Sequence, residues 1–514
     1  MTKQSFLQGT LILIIAGMIT RFLGFINRMV LARFMGEEGV GLYMMALPTL
    51  FLVMTLTQLG LPVAISKRVA EAEARNDRVK VKKILTVSLI VTAISSVIFT
   101  TAMIISAPFI SSLTDKRTLY PLLAISPIIP ITAISAVLKG YFQGKQNMKP
   151  QSFTLVIEQV VRITSVAFFV KLLLPYGIEY AAAGAMFSVI LGEFISLLVL
   201  IQIFKRKKTV KIRYRFFKYL KASKDTLKEL FSIALPSTGS RLIGSFSNFL
   251  EPILVAQSLA IAGISSNLAT KQYGELTGFA LPLLFLPTFI TNSLSIALVP
   301  SISEAEANKH NRLIHYRIHQ SIRISFASGA LATIVLTLFS VPILTYMYGT
   351  GNASKFLVLM APFYLLLYIQ APLQAALQAL DLARPAMWNS LIGAICKFTV
   401  LILLASNPNF GIMGVALAMV VSVVLVTLLH LASLRKAIRF TIPLKDLVKM
   451  ILLLVITWVI GDFFKNIYGL MESNIFGLLS IFIILTCIYI VLLFVLRFIT
   501  KEELKQIPFL QKWV

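Results

Sequence analysis

Charged side chains are scarce in this chain: only 13% of its 514 residues are Asp, Glu, Lys or Arg, about half the share of an ordinary soluble domain. Carboxylates are scarcer still, 21 against 48 Lys and Arg. A chain so poor in charge, and 57% hydrophobic, cannot build a solvated surface, which excludes a soluble globular domain. Cysteine is nearly missing. Cys396 and Cys487 both sit in apolar segments, so neither a disulfide framework nor a zinc site is expected. Also lacking are a G-x-x-x-x-G-K-[ST] phosphate loop, an H-E-x-x-H pair and any loop long enough to hold a catalytic domain. An ATP-driven pump in one chain is thereby excluded, and no enzymatic activity, cofactor or metal is expected.

What the chain has in abundance is long apolar runs. Fourteen of them can cross roughly 30 Å of hydrocarbon. They lie near 7–28, 40–63, 84–110, 119–140, 153–175, 180–204 and 230–259, then 273–298, 323–347, 355–380, 386–405, 411–433, 447–468 and 474–498. The expectation is an all-α, polytopic membrane protein of about fourteen transmembrane helices. Lys3 followed by Leu11 to Ile19 has the look of a signal peptide, but no small-x-small cleavage site follows, and the segment is read as an uncleaved first span.

Cations divide unevenly among the connections. Those on the side of the two termini carry 36, including eleven from Lys205 to Lys228; the opposite side carries seven, Arg28, Arg33, Lys116, Arg117, Lys271, Lys355 and Lys465. That imbalance predicts a multi-pass protein of the cell membrane with both termini in the cytoplasm. The basic run KRKKTVKIRYRFFKY from Lys205 is expected to meet anionic membrane headgroups rather than nucleic acid.

The two halves repeat one another. TRFLG at Thr20–Gly24 recurs as SRLIG at Ser240–Gly244, an offset of 220; ALP at 46–48 recurs at 280–282 and AEAEA at 70–74 as SEAEA at 303–307, offsets of 234 and 233. Pro127, Gln143, Lys149-Pro150 and Arg162 recur as Pro362, Gln378, Arg384-Pro385 and Lys397 at 235, and YGI at 176–178 as FGI at 410–412 at 234. Matches in one order at nearly one spacing predict a duplicated six-helix unit. Because six is even, the copies share an orientation, and a pseudo-twofold axis along the membrane normal is expected. The chain is accordingly divided into an N-terminal six-helix lobe (1–204), a basic cytoplasmic linker (205–229), a C-terminal six-helix lobe (230–433) and two extra transmembrane helices with a cytoplasmic tail (434–514).

Five cations, Arg21, Arg162, Lys171, Arg241 and Lys397, fall in or near spans, where a lone charge must face protein or a wet cavity. Arg21, Gly24 and Arg28 are spaced i, i+3, i+7 and share one face of the first helix. The second half mirrors them with Arg241, Gly244, Asn248 and Glu251, and Arg162 and Lys397 form another repeat-related pair. The candidate substrate-binding set is therefore Arg21, Arg28, Arg162, Arg241, Lys397, Asn248 and Glu251, because a guanidinium fork suits the oxygens of a pyrophosphate. The structural alternative is pairing: Glu158 stands four residues before Arg162, and Glu251 has the charge to partner an arginine. Glu193 and Glu275 are candidates for a coupling-ion or a structural role. His310, His315 and His319 cluster in one cytoplasmic segment, but no acidic or cysteine ligand completes a metal site.

The segments GTLILIIAGMITRFLGFINR, LARFMGEEGVGLYMM, LTQLGLPVAISK, TDKRTLYPLLAISP, GYFQGKQNM, LPYGIEYAAAGAM, EPILVAQSLAIAG and ATKQYGELTGFALP resemble the stage V sporulation protein B group of polysaccharide-type exporters, within the multidrug/oligosaccharidyl-lipid/polysaccharide exporter superfamily. The likeness runs over nearly the whole chain. It implies two six-helix bundles plus two extra helices that form a groove for a polyprenyl tail. It also implies a role in spore cortex peptidoglycan synthesis as a flippase for lipid II-like precursors. In related flippases first-helix arginines of the cavity are required, and Arg21 in TRFLG matches that position. A second arginine often stands three residues beyond the glycine; here that residue is Asn27, and Arg28 follows.

The expected substrate is thus a polyprenyl-pyrophosphate-linked saccharide, carried by alternating access and driven by the membrane potential, with membrane lipids and cell-wall synthases as partners. Two alternatives stand beside it: a drug/cation antiporter of the same fold, for which Glu251 is the supporting feature, and a non-transporting scaffold for cell-wall synthases.

Overall fold

In a bilayer core no water is present to satisfy the backbone, so each spanning segment must close its own hydrogen bonds. The computed structural model describes residues 6–206, 224–470 and 474–498, and among them every regular element is helical. Most of the basic run, residues 207–223, lies outside the described residues.

The helices are α1 (Phe6–Gln58), α2 (Leu61–Ala74), α3 (Arg78–Leu113), α4 (Leu119–Ile125), α5 (Ile128–Gly144), α6 (Lys149–Leu173), α7 (Ile178–Arg206), α8 (Lys224–Ile261) and α9 (Ser266–Tyr273). A π-helical stretch, Gly274–Ala280, leads to α10 (Leu281–Leu284), α11 (Thr288–Ala307), α12 (Asn311–Leu338), α13 (Ser340–Tyr348), α14 (Ser354–Ala379), α15 (Ala383–Ala405), α16 (Ile412–Ile438), α17 (Leu444–Leu470) and α18 (Ile475–Val495). Ten helical runs among the described residues are long and apolar enough to cross a membrane, or twelve when each bent pair counts as one span. One of the ten is the 60-residue run Ile15–Ala74. At 1.5 Å per residue it would extend about 90 Å, far beyond one crossing. Gly36 breaks it, with φ 63° and ψ −168°, so α1 provides two limbs, matching the first two apolar runs of the sequence.

Two compact units make up the chain, Met1–Gly278 and Phe279–Val514. In the first, α6 and α7 form the most extensive helix pair, α2 packs on α5, and α1 packs on α6, α8 and α9. Its core gathers Leu61, Ile65, Ile84, Tyr141, Phe142 and Leu200, each at most 1% exposed. In the second unit α12 and α14 pack together, α15 packs on α16, and α17 lies on α12. Buried tyrosines bind this unit polar-to-backbone: Tyr368 Oη donates to the Leu284 carbonyl at 2.8 Å and Tyr489 Oη to that of Ala327 at 2.6 Å. Helices α8 and α9 belong to the first compact unit, although the sequence repeat counts them in the second half.

The repeat is visible in the backbone itself. After α2, the amide of Asp77 bonds the Ala72 carbonyl and that of Asn76 bonds Glu73, with Asn76 left-handed at φ 55°. After α11, His310 bonds Ala305 and Lys309 bonds Glu306, with Lys309 at φ 57°, an offset of 233 throughout. The end of α5 and the end of α14 match likewise: Asn147 to Phe142 and Gln146 to Gln143, then Leu382 to Leu377 and Asp381 to Gln378, at 235. Each is a Schellman turn, the 6→1 and 5→2 pair that closes a helix on a left-handed residue. The offsets are those of the sequence motifs beside them.

Candidate functional site

Small residues let α6 and α7 approach closely, and this positions the charged groups of the first unit. A Cβ on Gly192 would lie 2.8 Å from the Glu158 carbonyl oxygen. The next residue, Glu193, is thereby brought beside Glu158, and the two carboxyls interact directly. Each has a cation: Lys139 Nζ of α5 donates to Glu193 Oε1 at 3.2 Å, and Arg162 Nη2 donates to Glu158 Oε1 at 2.6 Å. The four groups form a largely buried chain Lys139–Glu193–Glu158–Arg162. Such pairing is what makes charge tolerable inside a helical bundle.

Arg28 of α1 and Arg162 of α6 both act at a distance on the buried phenol of Tyr43. Asn27, next to Arg28 on α1, is 6% exposed. Arg21, nearly two turns earlier, is exposed, and Gly24 between them faces Gln159, whose Oε1 would stand 4.0 Å from an added Cβ. The α1 face carrying Arg21, Gly24 and Arg28 therefore turns toward α6. Helix α8 meets the second limb of α1, where Ser245 and Thr55 hydroxyls are 2.9 Å apart. Arg241, one turn before Ser245, and Asn248 are exposed; Glu251 is partly buried and acts on Tyr273.

Six of the seven candidate residues thus lie in the first unit. Lys397 belongs to α15 of the second, where its ammonium sits 4.8 Å from the Phe398 ring centre. Of the acids, Glu193 is committed to Lys139, and Glu275 is 4% exposed near Lys271. Two of the clustered histidines have structural settings: His315 Nε2 pairs with the Ile438 carbonyl at 2.9 Å, and His319 packs on Phe440 at 4.6 Å.

A second polar cluster was not anticipated from the sequence. The break at Gly36 sets Glu37 and Glu38 at the start of the second limb of α1, where acids suit the helix dipole. Arg117 Nη1 donates to Glu38 Oε1 at 2.6 Å, while its Nε and Nη2 hold Asp115 at 3.1 and 2.8 Å. Thr270 of α9 donates to the same Asp115 at 2.7 Å, and Lys271 lies 3.2 Å from Glu37. Burial alone would raise the Asp115 acid, but hydrogen bonds from Arg117 and Thr270 outweigh it and hold the carboxyl below its ordinary value. Beside the cluster is a cavity of about 440 Å³, lined by Asp115, Lys116, Arg117, Gln257, Asn267 and Thr270 among others. The signal in the sequence was the Glu37-Glu38 pair following Gly36, one of the few acidic pairs on the cation-poor side.

The architecture is shared with solved transporters. A lipid II flippase MurJ in an inward closed conformation superposes with a TM-score of 0.69 over 94% of this chain and 97% of its own, at 16% identity. An inward-facing multidrug resistance MATE family transporter of the MOP superfamily gives 0.65 over 82% and 94%, also at 16%. The fold is therefore the one these transporters share, and its long apolar helices make the chain a multi-pass membrane protein. More narrowly, the chain belongs to the polysaccharide biosynthesis protein family, whose sequence profile matches residues 6–306; the MatE profile matches residues 275–403. Among curated relatives, stage V sporulation protein B of Bacillus subtilis (strain 168) is 54% identical over the full length of both chains. Sporulation protein YkvU of the same organism is 30% identical over 85% of this chain and 96% of its own, and its lipid II flippase MurJ 23% over 77% and 76%.

Proposed function

We propose that this protein is a flippase that carries a lipid-linked peptidoglycan precursor of the lipid II type outward by alternating access, in the service of spore cortex synthesis. The observation that carries the reading is the row of cations on one face of α1, Arg21 exposed and Arg28 nearly two turns on, with Gly24 between them against Gln159 of α6. Guanidinium groups held in this way match the paired acceptor oxygens of a pyrophosphate. The full-length likeness to a sporulation protein and the more distant likeness to a lipid II flippase support the same substrate class. The two six-helix lobes, 1–204 and 230–433, then move about a pseudo-twofold axis, with the helices of 434–514 taking the polyprenyl tail and both termini in the cytoplasm.

A second reading, a drug/cation antiporter of the same fold, has its supporting feature in Glu251, partly buried on α8. Against it, Glu158 and Glu193 are each already matched by a cation of the protein. Translocation of a fluorescent lipid II analogue by the purified protein in liposomes tests the proposal, with Arg21→Ala and Arg241→Ala as variants. Losses of roughly tenfold to a hundredfold in rate, the worth of one charge-assisted contact, are expected in folded protein. Wild-type rates in both variants would refute the proposal.

A further inference from the structure

The second unit contains a cavity of about 1060 Å³ with a composition unlike that of the α1 face. It opens between the end of α12, the starts of α13, α14 and α16, and the end of α17. Its walls are apolar, and three of them, Val341, Val358 and Phe363, are 53%, 49% and 44% exposed, so this surface lacks an internal partner. Two cations line it, Lys355 in the first turn of α14 and Lys465 in the last turns of α17; among the described residues no carboxylate does. Both lysines are exposed, and Lys355 Nζ lies 5.0 Å from the Phe356 ring centre.

Position in the membrane follows from the helix ends. Lys355 opens one apolar span and Lys465 stands near the close of another, so both lie on the same membrane face. That face is the cation-poor one, and two of its seven cations line this single cavity. From Lys355 to Phe363 the α14 wall descends eight residues, about 12 Å at 1.5 Å per residue. A charged mouth at headgroup level above an apolar wall of that depth matches a phosphodiester joined to acyl chains. Hydroxyls supply the rest of the polar lining, without the amides or carboxylates that grip a sugar.

We propose that this cavity is a binding site for an anionic glycerophospholipid of the leaflet opposite the basic linker, its phosphate between Lys355 and Lys465 and its chains along Val358 and Phe363. The site shares α17 with the helices that the substrate reading gives to the polyprenyl tail, so its test reads lipid binding rather than transport and sets undecaprenyl phosphate against the glycerophospholipid.

The experiment is native mass spectrometry of the purified full chain with phosphatidylglycerol, phosphatidylethanolamine or undecaprenyl phosphate added at equal concentration. Phosphatidylglycerol should be retained over phosphatidylethanolamine. At roughly fivefold per lysine, the Lys355→Ala/Lys465→Ala double variant should bind it about 30-fold more weakly. Lys355→Arg/Lys465→Arg should keep it, and Val358→Trp, which sets an indole against the apolar wall and leaves both lysines, should weaken it. Equal retention by the double alanine variant, or no preference over phosphatidylethanolamine, would overturn the proposal. So would displacement of phosphatidylglycerol by undecaprenyl phosphate, which assigns the cavity to the transported lipid.

Discussion

Glu158 and Arg162, one helical turn apart on α6 and bonded at 2.6 Å, are half of a four-residue chain that Glu193 and Lys139 complete from α7 and α5. Their arrangement turns a sequence ambiguity into an energetic statement: the pair is a joint between three helices of the first unit. Removing one cation leaves two buried carboxyls facing a single positive charge. Lys139→Ala should therefore cost about 3–5 kcal/mol, as breaking a buried pair does, while Lys139→Met with Glu193→Gln recovers much of that loss. Thermal unfolding in detergent, followed by tryptophan fluorescence, distinguishes the two; equal melting of the single and double variants would count against the joint.

Asp115 sets a pH dependence of the opposite cluster. Its folded-state acid lies below the ordinary aspartate value, so its contribution to stability is complete above the unfolded value, about 4, and is lost as pH falls through the lower folded value. Asp115→Asn should cost about 2 kcal/mol at neutral pH, the worth of hydrogen bonds to a charged group. The wild-type advantage should begin to shrink near pH 4 and keep falling toward the lower folded value, in melting curves of both proteins across the acid range to pH 7.

Gly41 and Gly274 make the crossing of α1 with the α9 end possible. A Cβ on Gly41 would fall on the Thr270 carbonyl oxygen, and one on Gly274 on that of Glu37. Gly41→Ala should destabilise by about 1–3 kcal/mol, the usual cost of overpacking. It should also loosen the Asp115–Thr270 bond, so that Gly41→Ala and Thr270→Val combine less than additively in unfolding measurements.

Membrane potential supplies the driving force in the proposed cycle. A charge crossing 100 mV changes free energy by about 2.3 kcal/mol, so two phosphate charges moving outward gain roughly 4–5 kcal/mol. Collapsing the potential with valinomycin and potassium should slow outward flipping in liposomes. Unchanged flux at zero potential would remove this step from the mechanism.

Much of this was legible in the sequence because helix and repeat signals are local. Long apolar runs and the paired AEAEA and SEAEA segments encode structure within a few residues of themselves, whereas the break at Gly36 was not read from the sequence. Glu158, four residues from Arg162, was legible as a partner for the same reason. The bond from Arg117 to Glu38, 79 residues apart, and that from Thr270 to Asp115, 155 apart, leave no periodic trace. They depend on Gly41 and Gly274 letting two backbones touch, which no hydropathy pattern records. Nor did composition indicate that α8 would be part of the first compact unit.

The duplicated helix-ending turns have a practical corollary. Asn76, Gln146, Lys309 and Asp381 hold φ between 53° and 57°, a region where a side chain crowds its own carbonyl and glycine does not. Each is a place where one substitution to glycine should raise thermal tolerance without touching any span. The four together offer a route to a sturdier preparation of a protein class that is hard to handle outside lipid.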